Sequence, residues 1–227
     1  MVIETSDKRG APVTRDEGLT VLNVGAGPRV SGRLHVGFAS GHWREIRLDI
    51  DPAVDPDIVS SATDLSQFGD ASLDAIWSSH NIEHLYAHEV PVALAEFVRV
   101  LRPDGFALIT CPDLAQVAKA LLDQGGEFTA YQSPAGPIAP IDMIFGHRKS
   151  IAAGNSFMAH RTGFTPELIA SALLDAGFAE VRVISGRFYD LWALALVRVG
   201  HLSLAQACLE GTPQEGLLRD SPIALVG

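Results

Sequence analysis

The segment Val21-Leu22-Asn23-Val24-Gly25-Ala26-Gly27-Pro28 decides the fold of this 227-residue chain. A β-branched, apolar run that breaks into Gly-Ala-Gly predicts a buried strand that enters a tight turn. Glycines in such a turn let the backbone pass close to a ligand without obstruction by a Cβ atom. A second apolar run, Arg47-Leu48-Asp49-Ile50-Asp51-Pro52, ends in acid, and a carboxylate at that place can accept hydrogen bonds from a ribose. Together the two segments predict a pocket for a cofactor that contains a nucleoside.

Composition and charge restrict the class of protein. With 47% hydrophobic residues the chain can bury one sizeable core. A net charge of −10 disfavours a nucleic-acid partner, because neutralising phosphates requires clustered cations. Cys111 and Cys208 form neither a metal-ligand spacing nor a disulfide framework, which suits a reducing compartment. We see no signal-peptide pattern and no apolar run of roughly 20 residues. We therefore expect a cytoplasmic protein with no membrane span.

Alternation of short apolar runs with longer amphipathic segments predicts an α/β fold. The predicted strands lie near 19–24, 45–49, 73–78, 105–111, 180–185 and 191–199. The predicted helices are 88–101, 113–123 and 165–176, the last of which begins at a capping threonine followed by proline.

Four regions depart from this alternation. Residues 1–18 form a polar lead-in without periodicity. Residues 28–43 contain proline and three glycines, so we expect a short or irregular first crossover helix, or only a loop. Residues 124–164 are rich in proline and glycine but also in apolar side chains, which favours a folded lid over the substrate. Residues 201–227 predict a short apolar helix and a tail.

Two further motifs connect the chain to a known family. They are SLDAIWSSHNIEHL at 72–85 and VLRPDGFALI at 100–109. With the glycine turn they resemble class I S-adenosylmethionine-dependent methyltransferases, over about residues 19–200. The resemblance implies a Rossmann-like three-layer sandwich whose sheet is seven-stranded and mostly parallel, with an antiparallel C-terminal hairpin strand. It also implies S-adenosylmethionine as cofactor, and it fits the sub-pattern in which the first helix is shortened.

The resemblance assigns cofactor roles to individual residues. The turn would pass under the methionine moiety and offer its amides to the carboxylate, and Asp49 would hold the ribose, with Asp51 as second choice. Adenine would lie beside Ser61 to Leu65. If Ser61 does not hydrogen-bond the adenine, Asp64 would recognise it instead. The family commonly has an acid at Asn23 and a third glycine at Arg29. The full predicted cofactor set is Asn23, Gly25, Ala26, Gly27, Asp49, Ile50, Ala62, Thr63, Asp64, Leu65, Ser78 and His80.

Methyl transfer requires alignment of nucleophile, methyl group and sulfur, with a base only where the acceptor carries a proton of high pKa. His80, just after the predicted strand 73–78, and His160, before a helix start, are the candidate bases, and Glu83 is a further catalytic candidate. Each also has a structural interpretation: Glu83 and His84 could cap a helix, and His160 could fix a loop. Tyr131 and His147 are candidates for contacts from the lid.

The sequence also admits other interpretations of its histidines, its acceptor and its class of protein. His84 and His88 are spaced to share a helical face, but no third ligand with matching spacing is evident, so no metal is predicted. We expect methylation of an oxygen, nitrogen or carbon of a small or medium metabolite. The alternatives are a binding or partner protein that has lost catalysis, and an NAD-dependent oxidoreductase. Residues 124–164 could instead form a homodimer contact.

Overall fold

The computed structural model describes residues 18–29 and 34–219 and the backbone of a last strand at 224–226. Nearly all of the predicted lead-in therefore lies outside the described residues. The strands are Leu19–Val24 (β1), Trp43–Asp49 (β2), Ile58–Val59 (β3), Leu73–Ser79 (β4), Leu101–Pro112 (β5), Tyr131–Ser133 (β6), Gly136–Ile138 (β7), Glu180–Ser185 (β8), Asp190–Leu196 (β9) and Ala224–Val226 (β10). The helices are Val90–Val100 (α1), Leu114–Gln124 (α2), Pro140–Phe145 (α3), Arg148–Ala152 (α4), Pro166–Asp175 (α5) and Ser203–Leu209 (α6). Short 3₁₀ turns span Val36–Phe38, Pro52–Val54, Ile82–His84, Ser156–Met158 and Glu215–Leu218.

The main sheet has the strand order β10-β8-β9-β5-β4-β1-β2-β3. Strands β1 to β5 pair in parallel, and β9 runs antiparallel to both β5 and β8. The predicted seven-stranded, mostly parallel sheet with its antiparallel hairpin strand is confirmed, and β10 adds an eighth strand at the edge of β8. Because the chain order reverses between β1 and β4, a crevice opens at the carboxyl ends of these two strands.

The strands agree with the predicted segments, with shifted ends. β1 and β8 have the predicted bounds, whereas β5 begins four residues early. The pairing with β4 jumps from Leu73–Leu101 to Ala75–Phe106, so the Arg-Pro-Asp-Gly segment forms an irregularity inside β5. β9 ends at Leu196, three residues before the predicted end.

Two hydrophobic layers cover the sheet. On one face, α1 and α5 bury residues such as Leu94, Phe97 and Ile169 against β4, β5 and β9. On the other face, α6 packs with the 3₁₀ turns Val36–Phe38 and Glu215–Leu218. All three tryptophans of the chain belong to this second layer, where the rings of Trp77 and Trp192 stack with centroids 5.7 Å apart.

The first crossover is indeed reduced. Between β1 and β2 the described residues form only the 3₁₀ turn Val36–Phe38, and residues 30–33 lie outside the description. The helix α6 comes to that place instead: a Cβ atom on Gly37 would lie 2.0 Å from the carbonyl oxygen of Cys208. The predicted C-terminal helix therefore occupies the layer that a full first helix would otherwise fill.

The segment 124–164 is folded. It holds the hairpin β6–β7, the helices α3 and α4 and the 3₁₀ turn Ser156–Met158. We call residues 126–159 the insertion. Its end is fixed by a bridge between Gly146 and Ala159, where a Cβ on Gly146 would lie 1.9 Å from the carbonyl oxygen of Met158.

Candidate functional site

The glycine turn has the backbone that only glycine adopts readily. Gly25 and Gly27 have φ angles of 70° and 61°. The amides of Gly25 and Ala26 both donate to the carbonyl of Leu48, at 2.9 and 3.1 Å, and the amide of Gly27 donates to Asp49. All three amides thus have acceptors within the protein, which differs from the expectation that they donate to the carboxylate of a cofactor.

Asp49 ends β2 beside this turn and is half-buried. Its Oδ2 accepts the Gly27 amide at 2.8 Å, and its Oδ1 accepts the Asp51 amide at 2.9 Å. Each oxygen has a further lone pair, so the carboxylate can still accept hydrogen bonds from a diol. Ile50 follows with 51% of its surface exposed, an apolar side chain next to the acid. Asp51, the second choice for the ribose, instead caps the turn Pro52–Val54 through the Ala53 amide.

Arg47 supports the glycine turn and was not identified from the sequence. Its buried guanidinium donates to the carbonyls of Gly27 and Asp55, which ties the turn to the loop after β2. Asp57 accepts the Arg47 amide and the Arg29 guanidinium, at 2.8 and 2.6 Å. The hydrogen bond from the Arg47 amide, reinforced by Arg29, lowers the pKa of Asp57. Arg29, at the usual place of a third glycine, therefore belongs to the same scaffold.

Two predicted cofactor residues lie inside the sheet. Asn23 is buried on β1, and its Nδ2 donates to Glu45 Oε1 on β2 at 2.7 Å. Its amide group is thereby engaged within the protein. Ser78 is fully buried near the end of β4, and its hydroxyl has no hydrogen-bond partner among the described residues. A buried hydroxyl without a partner is costly, and because Ser78 is 0% exposed it could bond to a ligand only if this edge of the sheet opened.

The predicted adenine loop is partly core and partly surface. Ala62 and Leu65 are buried, and the Leu65 amide donates to Glu96. Thr63 is half-buried, and its hydroxyl lies 2.8 Å from that of Ser61. Asp64 is exposed, and hydrogen bonds from Ser66 lower its pKa. The loop joins β2, because the Ser60 amide donates to the carbonyl of Asp49.

His80 and Glu83 form an ion-pair contact where β4 ends. His80 has a φ angle of 47°, unusual for a residue with a side chain, and its amide donates to the Thr110 carbonyl. Its Nδ1 lies 3.3 Å from Oε1 of Glu83, whose side chain is 1% exposed whereas that of His80 is half-exposed. Desolvation opposes the charge on His80, but Glu83 and the more distant Asp190 outweigh it and raise the pKa of the imidazole.

The segment that directly follows the insertion brings His160 close to Glu83. The amides of Arg161 and Thr162 both donate to the carbonyl of Glu83, at 2.9 and 3.2 Å. One ligand atom from each of Glu83, His84 and His160 lies within 4.8 Å of the other two. The structure therefore brings together the three predicted catalytic candidates, His80, Glu83 and His160, and adds His84.

The prediction that His84 and His88 share one helical face is wrong. His84 ends the 3₁₀ turn Ile82–His84, and α1 begins only at Val90, so the two imidazoles do not share a helix. His88 is exposed and stacks on Tyr86. For the same reason Glu83 and His84 do not cap α1. Their partner, His160, is 76 residues further along the chain than His84, which is why no local spacing indicates it.

Asn81 lies directly over the glycine turn. A Cβ atom on Gly25 would lie 2.2 Å from Nδ2 of Asn81. The turn and the His80–Glu83 contact are thus adjacent, since Asn81 stands between these two residues in the chain. Asn81 lies within the SSHNIEHL run, but no pattern in the sequence marks it as a neighbour of the glycine turn.

The lid candidates occupy different places in the insertion. Tyr131 on β6 packs against Phe188, and burial, with the charges of Asp190, Asp142 and Glu83, raises the pKa of its hydroxyl. His147 binds the Ser150 hydroxyl through Nδ1 at 2.7 Å. It lines a cavity of about 420 Å³ together with Asp142 and Arg148, inside the insertion itself. Tyr131 is therefore the lid candidate that contacts the segment between β8 and β9, through Phe188.

Comparisons with known proteins concern the fold rather than the individual site residues. Residues 22–109 match a family described as methyltransferase domain. A chain from a complex of the Haloferax volcanii Trm112 methyltransferase activator with a methyltransferase is 17% identical, with a TM-score of 0.54 and coverage of 80% of this chain and 83% of that one. An Archaeoglobus fulgidus SAM-dependent methyltransferase is 16% identical, with a TM-score of 0.51 and coverage of 78% and 86%.

A third similar structure is a Burkholderia thailandensis 1,6-didemethyltoxoflavin N1-methyltransferase with bound S-adenosylhomocysteine. It is 16% identical, with a TM-score of 0.50 and coverage of 79% of this chain and 71% of that one. No curated protein matches the sequence. Within the described residues, none of the helices combines the length and the apolar character needed to cross a bilayer.

Proposed function

We propose that this chain, whose residues 22–109 match a methyltransferase-domain family, is a class I methyltransferase that uses S-adenosylmethionine as its cofactor and methylates an oxygen, nitrogen or carbon of a small or medium metabolite. The observation that supports this most is the arrangement at one edge of the sheet. There Asp49 meets the Gly27 amide at 2.8 Å, and the His80–Glu83 contact follows the neighbouring β4. One part suits a nucleoside cofactor, and the other suits a proton-bearing acceptor.

The cofactor side would use the carboxylate and the apolar surface after β2. Asp49 would accept the ribose hydroxyls through the lone pairs left beside its two amide contacts. Ile50, half exposed, would pack against the adenine ring, and Thr63 would lie along its edge. When bound, S-adenosylmethionine supplies a methyl group activated by a sulfonium. Since the turn amides are engaged, our candidate for a polar contact at the methionine end is the buried Ser78 hydroxyl, which has no hydrogen-bond partner among the described residues and which the ligand would have to uncover.

On the acceptor side His80 would take the proton of the nucleophile. The imidazole is half-exposed, so it can reach a ligand, while its Nδ1 contacts the buried carboxylate of Glu83. Glu83 would stabilise the imidazolium that forms, because an opposite charge within about 4 Å favours the charged form. The main contribution of the protein would be alignment, which can lower a barrier by roughly 7–11 kcal/mol in favourable cases.

The insertion would cover the acceptor. Tyr131 supports this role, since its ring packs against Phe188, just before β9, and β9 begins at Asp190 opposite Pro112 at the carboxyl end of β5. The hydrogen bonds from Arg161 and Thr162 to Glu83 hold the end of the insertion against the site. A homodimer contact through the same residues is the alternative. Limited proteolysis with and without S-adenosylhomocysteine separates the two: protection only with ligand indicates a lid, and constant protection indicates an interface.

The proposal is tested by calorimetric titration with S-adenosylhomocysteine, with NAD titrated in parallel. We expect micromolar binding of the first and none of the second. Tritiated S-adenosylmethionine is then offered with a panel of phenols, amines and carboxylic acids. For an acceptor that is methylated, His80→Ala should lower kcat by about 100-fold or more, whereas His42→Ala, on an exposed histidine before β2, should leave it unchanged.

Other results would contradict the proposal in different ways. Binding of neither ligand favours a methyltransferase-like scaffold without catalysis. Binding of NAD alone favours an oxidoreductase. Binding of S-adenosylhomocysteine with full activity in His80→Ala retains the enzyme class and removes the base that we assign.

A further inference from the structure

The side chain of Glu83 is an unusual group for the interior of a protein. It is 1% exposed, and neither of its oxygens has a hydrogen-bond donor among the described residues. The ion-pair contact with Nδ1 of His80 involves only Oε1, at 3.3 Å. Burying an ionised carboxylate is costly unless it is paired and hydrogen-bonded or coordinates a metal. Within the part of the chain that the structure describes, Oε2 therefore has no donor.

Two imidazoles stand beside this carboxylate with defined orientations. Nδ1 of His84 lies 3.1 Å from the carbonyl oxygen of Ala159, and Nδ1 of His160 lies 2.9 Å from that of Met143. A carbonyl only accepts hydrogen bonds, so each Nδ1 must carry the hydrogen. The lone pair of each neutral ring is then on Nε2. A carbonyl that fixes the tautomer in this way is the usual outer partner of a metal-binding histidine.

The three residues are close enough to converge on one ion. One ligand atom from each lies within 4.8 Å of the other two. Ligands about 2.1 Å from one tetrahedral ion lie about 3.4 Å apart, so the widest pair would have to close by up to about 1.4 Å when the ion binds. The two imidazole rings already meet edge to face, with centroids 4.9 Å apart.

We propose that Glu83, His84 and His160 bind a divalent transition-metal ion. Two imidazoles and one carboxylate are donors that suit zinc, iron and related ions better than magnesium or calcium, which prefer oxygen ligands. Three protein ligands leave at least one coordination position open. Binding of the acceptor oxygen or nitrogen at that position rests on the proposed methyl transfer, whereas the ion site itself does not.

The alternative is that no ion occupies this space. In that case the four groups, with His80, form a cluster of imidazoles around one carboxylate that needs no ion. The two possibilities differ in one measurable respect, the stoichiometric and residue-specific uptake of a metal.

The experiment uses the full chain after treatment with a chelator. Zn²⁺ and Co²⁺ are titrated by calorimetry, Co²⁺ also by its visible absorption, and Mg²⁺ serves as the hard-cation control. We expect one equivalent of Zn²⁺ or Co²⁺ per chain and no heat with Mg²⁺. His160→Ala and His84→Ala should weaken binding by about a hundredfold or more. His88→Ala is the matched control, because His88 is exposed, stacks on Tyr86 and lies four residues from His84.

Circular dichroism establishes that each variant is folded. His160→Ala is the decisive variant, since His160 lies in the segment before α5 and outside the sheet, so its loss should not prevent folding. Equal Zn²⁺ affinity in the parent and in His160→Ala, or no uptake by the parent, would overturn the proposal. A parent that binds Zn²⁺ but not S-adenosylhomocysteine keeps the ion site and rejects the proposed function. The reverse result rejects the ion site alone.

Discussion

Replacement of Asp49 by alanine tests the cofactor site most directly. Asp49 would offer a ribose two hydrogen bonds to a charged acceptor, and bonds of this kind contribute about 1.5–3 kcal/mol each. Because the side chain is half-buried rather than enclosed, we take the lower end for each bond. The expected loss is about 3 kcal/mol, or about a hundredfold in the Kd of S-adenosylhomocysteine.

The same change also affects the protein without ligand. Asp49→Ala leaves the amides of Gly27 and Asp51 without their acceptor. Both residues lie near solvent, so water can replace the carboxylate, and we expect a loss of about 1–2 kcal/mol in the free energy of unfolding. A folded Asp49→Ala protein is therefore available for the binding measurement.

The assay is calorimetric titration of parent, Asp49→Ala and Asp51→Ala with S-adenosylhomocysteine, after a thermal melt of each. Asp51→Ala is the matched control, since it removes a nearby carboxylate that caps the turn Pro52–Val54. It should cost about 1 kcal/mol in stability and leave the Kd unchanged. If Asp49→Ala binds as tightly as the parent, the ribose assignment is wrong. If Asp51→Ala alone binds weakly, the role belongs to Asp51.

Three further predictions concern the scaffold. Gly25→Ala should lower the free energy of unfolding by about 1–2 kcal/mol or more, because Gly25 has a φ of 70° and a Cβ there would meet Asn81. Denaturation in urea measures this loss, and Gly41→Ala is the control, because a Cβ at Gly41 meets nothing within 4 Å. Gly146→Ala should loosen the insertion, because the new Cβ would lie 1.9 Å from the carbonyl oxygen of Met158. Faster amide hydrogen exchange in residues 140–160 would show this, whereas unchanged exchange would contradict the view that the Gly146–Ala159 bridge fixes the end of the insertion. Burial alone would raise the pKa of Glu180, but hydrogen bonds from the Gly200 amide and from Arg182 lower it. A carboxyl whose pKa is lowered in the folded state stabilises the protein above its unfolded pKa of about 4.3, so this contribution to stability should disappear as the pH falls below that value. Thermal melts at about pH 7 and pH 3 check this, because Glu180→Gln should lose less stability between the two pH values than the parent.

Local signals were sufficient for much of the fold. α5 begins where Thr165 caps it, with its hydroxyl accepting the Leu168 amide, and Pro166 stands at the first helical position. β1 ends where Gly25 turns into the left-handed region. These features depend on residues that are neighbours in the chain, so a pattern in the sequence is enough to predict them.

What the sequence could not indicate depends on distant contacts. The turn Ile82–His84 stands apart from α1, and the carbonyl group of Glu83 accepts the amides of both Arg161 and Thr162 from beyond the insertion. His84 therefore meets His160 rather than His88. The glycine turn is a similar case: its amides bind Leu48 and Asp49 on the adjacent strand. A motif specifies the shape of the turn but not which acceptor its amides find.

The position of the tryptophans has a practical consequence for spectroscopy. Trp77 and Trp192 stack on one face of the sheet, and Trp43 meets Phe38 edge to face in the same layer. Intrinsic fluorescence therefore reports only on the layer formed with α6, whereas α1 and α5 on the other face contain no indole. If emission and far-ultraviolet ellipticity change at different urea concentrations, the two faces lose their packing in separate steps rather than together.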